Sequence, residues 1–341
     1  QEERCPMKVY YHADIEERAY EGRSQMSVLL RDFLQRDGFE FVNHPKHAEL
    51  IHFHSSGVFD SFKAVRLKKK YGVPVIYSLY SVSKTESLHH FKNHFAQRYY
   101  LRKRKTSFLL SYSAVLPLWL RGFRLWDLNA VVTPSYFVKK MLGKNAELIR
   151  LGIDTHQFRP MEIPKKSDKL HVGYFGHHSA YKGLLDFARA SKRFPDYCES
   201  YVYISDVSER IVQSLSKINH KLKIIGHVKN IAAEYNKMDV IALPYRSKLA
   251  GVANPLVLLE AMACGKALIT TDFDYLKEIV KDSAVLVKPY RPRQIVAAVK
   301  KLHDPLLREH LGKSAREIAV NEFDQIAMFK KYAALYRRFE K

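Results

Sequence analysis

Three cysteines in 341 residues, Cys5, Cys198 and Cys264, are too few and too scattered for a disulfide framework, and without a CxxC pair they offer no zinc site. No Asn-x-Ser/Thr sequon occurs and no secretory signal opens the chain, so a reducing, cytoplasmic setting is expected. No stretch reaches the roughly 20 apolar residues of a spanning helix. There is no short-period repeat and no low-complexity tract. Acidic residues are also scarce: 35 Asp and Glu stand against 57 Lys and Arg, a formal net charge of +22. That surplus points to a polyanionic neighbour, whether nucleic acid, an anionic membrane face or phosphorylated ligands. A Lys-rich solubilising surface is the plain alternative.

What is present reads as a globular α/β chain. Hydrophobic residues make up 47% and charged residues 27%, and 341 residues suit two domains of about 150 each. Strands are predicted at Met7–His12, Phe39–Val42, Leu50–His54, Val73–Leu79 and Ala130–Thr133. Helices fall at Ser24–Leu34, with Ser24 as N-cap, and at 58–71 and 135–142. The pattern restarts beyond a Pro-bearing polar stretch, Arg159–Lys169. Further strands follow at His171–Phe175, Tyr201–Ile204, Leu222–Ile225, Val240–Leu243, Ala267–Thr270 and Ala284–Val287, with helices that include 184–193, 230–236, 255–264 and 293–302. Strand–helix alternation predicts two doubly wound parallel sheets. The domains are expected at 7–158 and 170–318, joined by a linker at 159–169. A helical segment, 319–341, is expected to pack back on the first domain.

Two stretches carry chemistry. In DVIALPYRSKLAGVANPLVLLEAMACG (239–265), Pro255 opens a helix bearing Glu260 within an apolar run. A carboxylate there costs several kcal/mol unless it is hydrogen-bonded. A ribose diol would supply two donors, and an exposed helix surface is the bland alternative. In VGYFGHHSAYKG (172–183), a strand ends at Gly176 and Lys182-Gly183 opens a helix. A helix N-terminus with a Lys suits a phosphate, although Lys-Gly at a helix start is common on surfaces.

These stretches resemble the retaining glycosyltransferases of family 4, which have the GT-B fold of two Rossmann-like domains. Leu151-Gly152-Ile153-Asp154 with Phe158 and Pro160 resembles the family's N-G-V-D…F-x-P junction. Gly176 with Lys182-Gly183 resembles its G-R-x-x-x-x-K-G loop, Pro255–Gly265 its L-L-E-A-M-A-x-G helix, and Glu278 the following E-I-V. The resemblance implies transfer of a hexose, with retention and without a metal or other cofactor, from a UDP- or GDP-linked sugar. Lys182 would hold the diphosphate and Glu260 the ribose, with Gly22, Gly176, His177, Asn254, Pro255 and Leu256 also lining the donor and Gly226, His227 and Val228 bordering the base. Lys182 and His177 would act at the leaving group, and His54 and Tyr80 would position the acceptor. The sequence departs from the family at four places, the first being that the usual double-Gly loop after the first strand offers only Gly22. Val252 replaces a Glu, His177 replaces the Arg partner of the Lys, and Tyr80 stands where a His is expected. These departures leave open a degenerate relative that binds a nucleotide sugar or lipid without turnover.

His52 and His54, two apart on a strand, share a face but have no third metal ligand in view. His90 and His94 are discounted likewise, and Asp272-Phe273-Asp274 mimics the D-x-D of metal-dependent transferases. Arg98–Trp126 is the most basic and aromatic segment: Arg98, Arg102, Lys103, Arg104 and Lys105 precede an apolar stretch with Trp119, then Arg121, Arg124 and Trp126. Such residues suit the interface of an anionic bilayer. The apolar part also suits a core helix, and no recognition motif favours nucleic acid. The expectation is a peripheral protein on the inner face of the membrane, with a lipid or lipid-linked glycan as acceptor.

Overall fold

The computed structural model describes residues 5–13, 22–54, 60–79, 124–134, 136–164, 167–178, 180–205, 207–246 and 255–340. They form two compact units. The first comprises the described residues up to 79, with 124–151 and 325–340; the second is 152–324.

The first unit is built on β1 (Lys8–Ala13), β2 (Glu40–Phe41), β3 (Leu50–His54), β4 (Val75–Ser78), β5 (Ala130–Thr133) and β6 (Ala146–Leu148), with α1 (Gly22–Arg36), α2 (Asp60–Tyr71) and α3 (Tyr136–Leu142). The strand order is β2-β1-β3-β4-β5-β6, every pairing parallel. The central strands β3, β4 and β5 are buried along their whole length, as parallel strands covered on both faces must be. Ile51, Phe53, Val75, Tyr77 and Val131 share one core. Helix α1 starts at Gly22, which puts Ser24 inside the first turn rather than at the cap expected from sequence.

The second unit repeats the plan. Its strands are β7 (Leu170–Phe175), β8 (Cys198–Tyr203), β9 (Lys223–Ile225), β10 (Val240–Leu243), β11 (Ala267–Thr271) and β12 (Ala284–Val287). Its helices are α4 (Leu184–Ser191), α5 (Glu209–Ile218), α6 (Ile231–Asn236), α7 (Leu256–Ala263), α8 (Asp274–Val280), α9 (Pro292–Lys301) and α10 (Pro305–Glu322). Read from one edge the order is β9-β8-β7-β10-β11-β12, all parallel, which is the Rossmann order. Side chains alternate across the sheet. Val172, Tyr174, Phe187 and Val299 fill one face; Phe175, Tyr235, Leu258 and Met262 fill the other. Helix α10 approaches α7 through small residues: a Cβ on Gly312 would stand 2.2 Å from the carbonyl oxygen of Gly265.

The chain passes between units at Leu151–Gly152, upstream of the Pro-bearing stretch. Ile153 N–H donates to the Phe323 carbonyl at 2.8 Å and Thr155 Oγ1 to Asp324 at 2.7 Å. Arg316 donates to the carbonyls of Thr155, Phe158 and Ala263. These bonds hold 153–158 within the second unit, and Asn236 holds the start of 159–169 there through the Arg159 carbonyl and the Met161 N–H. The last helix, α11 (Gln325–Arg337), belongs to the first unit. Its Tyr336 hydroxyl lies 2.6 Å from His52 Nδ1, and its Tyr332 hydroxyl 3.0 Å from Ser78 Oγ. No helix among the described residues is long and apolar enough to cross a membrane.

Candidate functional site

In a Rossmann sheet, ligands sit beyond the carboxyl ends of the strands where the order reverses, here between β7 and β10. The two loops leaving those ends are pressed together. Gly183, at the N-cap of α4, has φ +85, and a Cβ there would come within 1.8 Å of the Pro244 carbonyl oxygen after β10. Glycine is therefore required on both conformational and steric grounds. The Arg246 backbone N–H donates to the Tyr181 carbonyl at 2.8 Å. Its guanidinium grips Asp186, in the first turn of α4, through two bonds of 2.6 Å each. Asp186 is 3% exposed and Arg246 11%, so the pair is a buried clamp between the loops.

Lys182 sits in that junction, half-buried, with its Nζ 5.3 Å from the centre of the Tyr245 ring. Tyr245 is fully buried, and its phenol is pushed well above the ordinary value by burial, then by Tyr275, Tyr174 and Glu260. Tyr245 thus carries Lys182 over its ring and feels the charge of Glu260. Glu260 is half-buried on α7, unlike a residue on an exposed helix surface. Tyr235 of α6 donates its hydroxyl to Glu260 Oε2 at 2.6 Å. Burial raises the Glu260 carboxyl above the usual carboxylate range, against a smaller lowering by that bond. Among the described residues no second donor reaches the carboxylate. Tyr235 is itself held by the Phe175 ring, whose centre is 4.3 Å away.

The other expected positions fall as follows. Gly176, with φ +139, ends the β7 edge; His177 is exposed, and its carbonyl accepts from Tyr174 at 2.9 Å. Pro255 is buried and caps α7, and Leu256 is the first residue of that helix. Gly226, His227 and Val228 follow β9 at the sheet's edge, with His227 exposed. In the first unit, Gly22 begins α1, and His54 ends β3, whose Ala13 register partner ends β1. That is the order reversal of the first sheet. His54 is buried and bonds through Nδ1 to Ser27 of α1. Tyr80, Val252, Asn254, His90, His94 and the basic residues Arg98 to Arg121 lie outside the described residues. Arg124 pairs with Asp127 at 3.1 Å, and Trp126 is 46% exposed.

Both nitrogens of His52 are engaged, by Tyr336 at 2.6 Å and Ser78 at 2.7 Å, so the His52–His54 metal alternative has lost one ligand to the core. Asp272 is likewise engaged: Lys277 and Lys288 both bind it and hold its carboxyl below the ordinary value. Asp274 opens α8. No group of three or more His, Cys, Asp or Glu among the described residues could hold a metal ion. Sequence reasoning missed Tyr235, Tyr245, Asp186 and Arg246. Only the placement of Tyr245-Arg246 directly after the β10–Pro244 edge could have flagged any of them.

Residues 169–304 match the family model described as "Glycosyl transferases group 1". That range holds both loops of the junction and all six strands of the second sheet. Among curated proteins, the chain is 23% identical to the alpha-maltose-1-phosphate synthase of Mycolicibacterium smegmatis over 56% of this chain and 56% of that one. It is 24% identical to the D-inositol 3-phosphate glycosyltransferase of Paenarthrobacter aurescens over 48% and 45% respectively. The chain spans about half the length of the curated relatives it matches. The similarity in fold extends much further. A sucrose-phosphate synthase from Thermosynechococcus elongatus superposes with a TM-score of 0.76 over 97% of this chain and 98% of that one, at 16% identity. The architecture is thus that of GT-B proteins, two Rossmann-like parallel-sheet domains.

Proposed function

We propose that the chain is a nucleotide-sugar-dependent glycosyltransferase that moves a hexose to an acceptor with retention. The observation that carries this reading is the Lys182 ammonium over the Tyr245 ring at the β7–β10 switch point, with the half-buried Glu260 carboxylate close enough for its charge to be felt by the same phenol. The Lys182 ammonium and the dipole of α4 would take up the charge of the departing diphosphate. The ribose hydroxyls would donate to Glu260, whose remaining acceptor capacity Tyr235 leaves open. Gly226, His227 and Val228 would border the base, and Asn254, Pro255 and Leu256 the sugar. Retention is expected from same-face attack, in which the leaving diphosphate oxygen accepts the acceptor's proton. That route needs leaving-group stabilisation more than a strong protein base, and no metal. Tyr80 and His54 would position the acceptor, His54 acting through its bond to Ser27. Anabaena HepE, whose structure was solved with UDP-glucose and superposes with a TM-score of 0.69 over 97% of this chain and 100% of that one at 14% identity, supports a nucleotide-sugar ligand.

The acceptor in this reading is a membrane lipid or lipid-linked glycan. The chain would work as a peripheral protein on an anionic inner face, engaged by Arg98–Lys105, Trp119, Arg121, Arg124 and Trp126. The exposed Trp126 and the +22 charge support this. A second reading, nucleotide-sugar binding without turnover, is favoured by His177 standing exposed where the family carries an Arg.

A thermal-shift screen with UDP, GDP, ADP and their sugars tests the donor, since a ligand of the folded state raises the melting temperature. Acceptor-dependent release of nucleoside diphosphate, with the product's anomeric configuration read by NMR, separates the two readings. A melting shift without release over hours would select the binding-only reading, and the absence of any shift would defeat both.

A further inference from the structure

The second unit carries a strongly cationic hollow that the donor reading leaves unused. It is about 530 Å³ in volume and opens between the end of α4, the end of α5 and the start of α9. Arg189, Lys192, Arg193, Lys217, Arg291 and Arg293 line it, and among the described residues no carboxylate does. All six are exposed. Among the described residues only Arg189 meets an acidic side chain, Asp186, at 4.0 Å, and Asp186 is already gripped by Arg246. Among the described residues the other five have no ion-pair or side-chain hydrogen-bond partner.

Several cations elsewhere in the same unit are, by contrast, paired. Lys223 pairs with Glu199, Lys237 with Glu234, Lys281 with Glu322, and Lys277 and Lys288 both with Asp272. Basic residues at helix C-termini are an ordinary response to the helix dipole, but the magnitudes do not balance here. Two helix ends supply about −0.5 charge each, and the start of α9 returns about +0.5. Against six full cations that leaves a local excess of several charges, held together at a cost in mutual repulsion. A concave shape with multidentate guanidinium groups suits phosphate oxygens, which accept paired N–H bonds.

We propose that this hollow is a binding site for a ligand bearing two or more phosphate groups, separate from the Lys182–Glu260 junction. Its existence does not depend on the transferase reading. The phosphates could be carried by a soluble phosphorylated compound or by clustered anionic phospholipid headgroups, and the test distinguishes these sources.

The full chain is compared with the triple variant Lys217→Ser, Arg291→Ser, Arg293→Ser and with a control triple of exposed lysines on the same unit, Lys300→Ser, Lys301→Ser, Lys313→Ser. Calorimetric titration with inorganic tripolyphosphate and co-sedimentation with phosphatidylglycerol vesicles are run at low salt, with melting temperatures confirming that each variant is folded. The site predicts at least tenfold weaker tripolyphosphate binding in the first triple, with the control within about twofold of the parent. Vesicle binding lost along with it identifies lipid headgroups as the source; vesicle binding retained identifies a soluble ligand. Equal tripolyphosphate affinity in the parent and the first triple, equal losses in both triples, or no binding of either probe by the parent chain would overturn the proposal.

Discussion

His52 Nδ1 and the hydroxyl of Tyr336 share a hydrogen bond of 2.6 Å, although the two residues are 284 positions apart. Ser78 occupies the other ring nitrogen and itself meets Tyr332, so β3, β4 and α11 are joined by one buried polar chain. The rings of Tyr11, His54, Tyr332 and Tyr336 surround His52. Removing the Tyr336 hydroxyl would leave a buried nitrogen bare. Tyr336→Phe is expected to cost about 1–3 kcal/mol in urea unfolding; a change below about 0.5 kcal/mol would show the bond to be incidental.

The same histidine makes stability depend on pH. Burial, and then the charge of His54, hold the His52 pKa well below its ordinary value. The unfolded chain therefore binds a proton at a pH where the folded chain does not. Its contribution is complete above about pH 6.5 and falls away as the pH drops below that value. Melting temperatures of the parent should decline from pH 7 to 5 more steeply than those of His52→Gln. Parallel curves would assign the acid sensitivity to other groups.

Glu260 has the opposite consequence, for binding rather than folding. Its carboxyl is raised by burial, and a ribose diol would stabilise the ionised form. Nucleoside-diphosphate binding should release a proton and strengthen as pH rises through the raised Glu260 pKa. Glu260→Gln should weaken binding by about 1–3 kcal/mol and flatten that pH dependence. Calorimetry in buffers of different ionisation enthalpy reads both effects, and unchanged affinity would remove Glu260 from the site.

Lys182→Ala is expected to lower turnover by about 10²–10³-fold, the scale of losing one charge-stabilising donor. The melting temperature should move little, because the Nζ rests over the Tyr245 face rather than inside the core. Near-parent rates in a donor-saturated assay would exclude it from the chemistry.

Gly183→Ala should do what Lys182→Ala does not. A left-handed φ of +85 and a Cβ 1.8 Å from the Pro244 oxygen force the two loops apart, at about 2–4 kcal/mol. Thermal unfolding measures the loss, and a variant as stable as the parent would show that the junction yields easily.

The sheet was legible where strands are buried throughout. Ala130–Thr133 and Val240–Leu243 form with the boundaries read from their apolar runs, and the half-buried edge strand Ala284–Val287 does so as well. Helix α10 was not legible, because its inward face is made of Leu311, Gly312, Ala315 and Ala319, which give no bulky stripe at helical spacing. Lys182 and Glu260 stood out by motif and by the oddity of a charge in an apolar run. Their supports did not. Asp186 and Arg246 are 60 residues apart, and nothing local in either segment says that they meet. Tyr235 looks in sequence like any core aromatic until its hydroxyl is seen on Glu260.

The assignment of α11 to the first unit also bears on biosynthesis. The described residues of the second unit, within 152–324, belong to one uninterrupted stretch of chain that is synthesised before α11. The first unit must wait for Tyr332 and Tyr336, leaving the polar atoms of His52 and Ser78 without these partners until α11 arrives. A chain that stops before Tyr332 would therefore hold every described residue of the second unit while His52 and Ser78 still lack their α11 partners, an uneven state open to chaperones and proteases.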